Sequence, residues 1–160
     1  MKASFIGPTY LLLPLVLVVA SIANAQEVAK VNAATTKTAP ANVPVFADYR
    51  GVKIGMAANE VRSKLNNITK GDHQDFVNFS EHESAQIYYD DKGNVTAISI
   101  DYFGDTSSAP TPETVLGAAI EPKPDGSMYQ LNRYSDAGYW VSYNRTAGDK
   151  PIVTITMQKM

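Results

Sequence analysis

The chain has 160 residues, of which 44% are apolar and 19% charged, with a formal net charge of −2 and no cysteine. That length fits one domain or two small ones, and the apolar share excludes a wholly disordered chain. The charge balance argues against nucleic-acid binding, which needs clustered Lys and Arg. The lack of cysteine excludes disulfides, thiolate metal sites, thiol nucleophiles and a lipid anchor on sulfur.

In chain order the first feature is an export signal. Lys2 gives a positive start, a Leu- and Val-rich run reaches Ala20 with only Pro14 breaking it, and Ala23-Asn24-Ala25 offers small residues to a signal peptidase. The pattern predicts a signal peptide over residues 1–25, cut before Gln26, and an exported protein, periplasmic or secreted. The most apolar part is shorter than the roughly 20 residues that span a bilayer. Residues 26–44 are rich in Ala, Thr, Asn and Lys, hold Pro40 and lack aromatics, so they read as a flexible linker. Four Asn-x-Ser/Thr triplets begin at Asn67, Asn78, Asn94 and Asn144, acceptors for glycosylation in a eukaryotic secretory route.

Residues 45–160 read as one folded domain. Val61 and Leu65 share a helical face, which predicts a helix over 57–67 that ends at Asn66-Asn67. Strands are expected over 74–80, 85–89 and 95–103. The third alternates Ile98, Ile100 and Tyr102 against Ala97, Ser99 and Asp101. Asp90-Asp91-Lys92-Gly93-Asn94 is a hairpin-turn signal between the last two. Thr111-Pro112-Glu113 opens a second, short helix that Gly117 ends. Strands then follow over 128–134, 138–144 and 152–157. Val61 and Val115, or Ile98 and Val153, are similarly spaced in the two halves. The expected fold is therefore α+β, with short helices on one face of an antiparallel sheet. A helix plus a three-stranded meander would occur twice, over 49–104 and 109–158.

The run Gly51-Val52-Lys53-Ile54-Gly55-Met56, followed by Glu60-Val61 and Leu65, resembles the opening of the BamE/SmpA-like and beta-lactamase-inhibitory-protein-like small exported domains. The resemblance implies an adaptor or inhibitor that binds other proteins, in the inhibitor's case through a concave, aromatic-rich sheet surface. BamE is acylated on a cysteine just after its signal peptide, where this chain has Gln26. A lipid anchor by that route is excluded.

Catalytic chemistry is hard to assemble from the remaining residues. His73 and His82, the only histidines, flank one strand and lie too far apart along it to share an ion. Asp90 and Asp91 fit a turn better than a carboxylate pair, and neither a Gly-x-Ser-x-Gly elbow nor a phosphate loop occurs. No enzyme activity, metal or cofactor is expected. The aromatics are more informative. In Tyr88-Tyr89 and Tyr139-Trp140, neighbours must face opposite sides of a sheet, so one of each pair lies on the open face. Tyr88, Tyr139, Trp140 and Tyr143 are the candidate binding residues. The expected function is non-enzymatic binding of an envelope or secreted protein, with a small ligand or envelope polymer as the alternative partner.

Overall fold

Alternating side chains and tight turns organise residues 43–160, the part of the chain that the computed structural model describes, around one antiparallel sheet. The expected signal peptide over 1–25, and the expected linker up to residue 42, lie outside the described residues. Among the described residues no helix is long and apolar enough to cross a membrane.

The elements in order are α1 (Ala58–Lys64), β1 (Ile68–Lys70), β2 (Gln74–Asn78), β3 (Glu83–Tyr89), β4 (Val95–Tyr102), α2 (Pro112–Leu116), β5 (Met128–Tyr134), β6 (Tyr139–Arg145) and β7 (Val153–Lys159). All seven strands join one sheet in the order β1-β2-β3-β4-β7-β6-β5. Every neighbouring pair is antiparallel.

This architecture overturns the expected α+β fold built from a tandem helix-and-meander repeat. The domain is mainly β, with helices of only seven and five residues. The sheet has four strands before α2 and three after it. The additional strand is β1, which pairs Ile68 with Val77 and Thr69 with Phe76. The apparent repeat has a simpler cause. β4 and β7 are neighbours in the middle of the sheet, where Ile98 lies opposite Met157, Ile100 opposite Ile155 and Tyr102 opposite Val153. Two central strands that fill one core share an apolar alternation without sharing a place in a repeat. Their antiparallel pairing also reverses the match of Ile98 to Val153.

The helices are short for local reasons. α1 stops before the expected 67 because Leu65 is already extended and Asn67 has a positive φ of 58°. Gly117 ends α2 in the left-handed conformation, with its N–H donating to the Glu113 carbonyl. Thr111 precedes α2 but makes no side-chain cap bond. Both helices lay their apolar residues on the same side of the sheet. Val61, Val115 and Leu116 join Val77, Ile87, Ile98, Ile100, Val141, Ile155 and Met157 in one buried cluster. Each such side chain contributes about 1.5–3 kcal/mol on burial, so this cluster dominates the stability of the fold.

The segment before α1 is tied to the β3–β4 hairpin. Gly55 N–H donates to the Val95 carbonyl, and Ala58 N–H to that of Gly93. Asp90 organises the turn itself: its carboxylate accepts from the N–H groups of Lys92 (3.0 Å) and Asn94 (2.8 Å). Those bonds hold its carboxyl below the ordinary range. Gly93 takes the positive φ of 75° that the turn requires.

Candidate functional site

Strand parity assigns each aromatic residue to a face. In β6, Tyr139, Val141 and Tyr143 point into the core, where Tyr139 is 8% and Tyr143 4% exposed. Trp140 points the other way and is half-buried. In β3, Tyr89 is buried and Tyr88 is half-buried on the face away from the helices. Of the four candidate binding residues, the structure therefore places Tyr88 and Trp140 on the open face. Tyr139 and Tyr143 lie in the core. Their burial raises both phenolic pKa values above the ordinary tyrosine value.

Tyr88 and Trp140 sit on one cross-strand row: Gln74, Tyr88, Ala97, Gln158, Trp140, Arg133. They are three strand spacings apart, about 14 Å. The next row holds Phe76, Gln86, Ser99, Thr156, Ser142 and Leu131, and a third runs from Asn78 through Ser84, Asp101, Thr154 and Asn144 to Tyr129. Most of these side chains are small hydroxyls or amides. Only Asp101 and Arg133 carry charge, and Asp101 accepts a 2.7 Å hydrogen bond from Thr154 Oγ1.

A groove of about 600 Å³ runs over the middle of this face. Ala97, Ser99 and Thr156 floor it, Tyr88 forms one wall, and Gln158 and Met160 also border it. Tyr88 is held by donating its hydroxyl hydrogen to Gln86 Oε1 at 2.6 Å. The groove exists because Ala97, Ser99 and Thr156 are smaller than the aromatic beside them. Sequence reading missed this floor, although the parity of β4 and β7 already separates those residues from Ile98, Ile100, Ile155 and Met157.

The strongest electrostatics lie on the helix side. Arg62 of α1 grips Asp75 of β2 with Nε to Oδ2 at 2.8 Å and Nη2 to Oδ1 at 2.9 Å. Tyr89 donates its hydroxyl to the same carboxylate at 2.8 Å. Burial alone would push the Asp75 pKa up, but the bonds from Arg62 and Tyr89 outweigh it and hold the carboxyl below its usual range. Burial, with the bond to Asp75, raises the Tyr89 phenol well above its usual value. A second cluster joins Tyr49, Arg50 and Glu83. Tyr49 donates to Glu83 Oε1 at 2.5 Å, Arg50 Nη2 to Oε2 at 2.8 Å, and the Arg50 guanidinium lies 4.2 Å from the Phe79 ring centre. Tyr102, buried beside them and near Glu83, is pushed up to about 12. Both clusters join the sheet to the segments packed on it, and every buried side-chain N or O atom among the described residues has a hydrogen-bond partner.

The two histidines stay apart. His82 Nδ1 lies 3.1 Å from the Phe103 carbonyl oxygen, and His73 is exposed with its own carbonyl accepting from Tyr89 N–H. Among the described residues no three His, Asp or Glu side chains converge closely enough to hold a metal ion. No known protein family, curated protein or solved structure matches the chain.

Proposed function

We propose that this chain is an exported, non-enzymatic binding module that recognises an envelope or secreted protein through the open face of its sheet. One observation carries the reading. The face uncovered by the helices is almost free of charge, rich in hydroxyls and amides, and carries Tyr88, Trp140 and Tyr129. Interface centres are depleted in charge and enriched in Tyr and Trp, whose large surfaces lose little conformational entropy on binding. The leader pattern ending at Ala23-Asn24-Ala25 supports export, and the resemblance around Gly55-Met56 supports a protein partner. Among the described residues, the three open-face rows carry only Asp101 and Arg133 as charges, too little for that face to hold a nucleic acid or an acidic lipid surface.

The test is crosslinked capture from the envelope and secreted fractions of the native host, with the Tyr88→Ala/Trp140→Ala double variant as control. Enrichment of one protein by the native chain, lost in the folded double variant, supports the module. Equal enrichment by both removes the open face from the account.

The groove favours a second reading, a small-ligand or envelope-polymer binder. Its about 600 Å³ lies within the range of ligand sites. Tyr88 offers a stacking surface, and Ser99, Thr156 and Gln158 offer hydrogen bonds. A rise in melting temperature with an oligosaccharide panel, abolished by Tyr88→Ala, would select this reading.

A further inference from the structure

We infer that two copies of this chain pair through β5, edge to edge, to form one continuous sheet. The two edges of the sheet differ. β1 is three residues long and ends on Lys70, features that discourage further pairing. β5 is seven residues long, has no Pro or Lys before its end, and pairs with β6 without a bulge. Alternate residues of such a strand turn their N–H and C=O outward. Among the described residues no backbone hydrogen bond reaches the outer side of β5. A long, regular edge of this kind is a template for another strand.

The sequence of β5 selects the occupant. Met128-Tyr129-Gln130-Leu131-Asn132-Arg133-Tyr134 matches its own reverse in chemical character. When two copies pair antiparallel about Leu131, Leu131 lies opposite Leu131 of the second copy. Tyr129 lies opposite Arg133, and Arg133 opposite Tyr129. These pairs share the open face, and each joins an exposed ring to a guanidinium that has no side-chain partner among the described residues. On the other face Gln130 meets Asn132, and Met128 meets Tyr134. Gln130 already donates to Asn132 Oδ1 within its own chain at 3.0 Å, and its carbonyl oxygen remains to accept from Asn132 of the second copy. A slip of two residues sets Leu131 against Arg133 or Tyr129 and destroys both ring–cation pairs. A slip of one exchanges the faces.

A two-fold axis through Leu131 closes the assembly and turns both open faces to the same side. Two seven-residue strands bury less than a standard interface, so the dimer is reversible.

The chain has no cysteine of its own, which allows a direct test. The protein expressed from its full sequence is studied by sedimentation equilibrium and by oxidative crosslinking of single-cysteine variants. Residues directly opposite each other lie about 4.5–5.5 Å apart at Cα, within disulfide reach. Leu131→Cys should therefore form a disulfide-linked dimer, whereas Tyr129→Cys, facing Arg133, should crosslink roughly tenfold more slowly or less. Leu131→Lys opposes two like charges and should weaken the native dimer roughly tenfold or more, with its melting temperature kept. A native chain that stays monomeric into the millimolar range overturns the inference, as does crosslinking of Tyr129→Cys as fast as Leu131→Cys.

Discussion

Arg62 of α1 and Asp75 of β2 form a two-pronged ion pair across the helix–sheet boundary, with the Asp75 side chain fully buried and that of Arg62 31% exposed. Removing the cation strands a charge in the interior. Arg62→Ala should therefore destabilise the fold by about 3 kcal/mol, at the low end for broken buried pairs because water reaches the vacated side. Replacing both residues with leucine should recover only part of that loss, because the buried Tyr89 hydroxyl then loses its acceptor. Urea unfolding of the two variants checks both expectations.

The same pair sets an acid limit. The Asp75 pKa is lowered in the folded state, so on acidification the unfolded chain takes up its proton first. The contribution of Asp75 is fully present above the unfolded carboxylate value of about 4 and is lost as the pH falls through the lower folded value. Stability measured from pH 6 down to 2 should drop below about pH 4. Asp75→Asn, although less stable at neutral pH, should show a shallower drop.

An alkaline limit follows from the tyrosines. Burial, first, and the neighbouring Glu83 or Asp75 raise Tyr49, Tyr89 and Tyr102, the last to about 12. Their neutral forms stabilise the fold below the unfolded phenol value of about 10, and the benefit is lost as the pH rises from there through the folded values. Absorbance of phenolate should show part of the nine tyrosines titrating late in the native protein. In urea all should titrate together near pH 10, as expected for free phenols.

Parity on β3 and β6 separates recognition from folding. Tyr139→Ala or Tyr143→Ala opens a cavity in the core and should cost about 3 kcal/mol, lowering the melting temperature by about 10 °C. Tyr88→Ala and Trp140→Ala remove only half-buried side chains and should each cost less than about 1 kcal/mol. Calorimetry of the four variants decides the assignment. Equal losses in all four would place Tyr88 and Trp140 in the structural core as well.

Much of this organisation is legible in the residues. β7 alternates from Val153 to Met157 and β4 from Ala97 to Tyr102, past the register shift opposite Tyr88 and Tyr89, and Asp90-Asp91-Lys92-Gly93-Asn94 forms the turn its chemistry demands. The candidate site is legible only in part. Neighbouring aromatics must part company, but Tyr139-Trp140 alone does not say which goes inside. The signal was two residues away: Val141 shares parity with Tyr139 and Tyr143, and its aliphatic side chain marks that side as core. Tyr139 and Trp140 could never serve one face together.

Other features leave no local trace. β1 is too short for a period, and its only apolar residue, Ile68, follows the left-handed Asn67. Asp75 resembles any solvated strand carboxylate until α1 brings Arg62 over it, 13 residues earlier in the chain. The order of the sheet is likewise a matter of distant pairing. β4 meets β7 rather than β5, so two similar strands become neighbours and imitate a repeat.

Trp140 is the chain's single tryptophan, and it sits half-buried on the open face. Its fluorescence reports directly on that surface. Titrating the protein with the partner recovered by capture should shift the emission to the blue and shield the indole from acrylamide, with saturation at the binding stoichiometry. Binding that leaves the emission and its quenching unchanged would contradict recognition through the open sheet face.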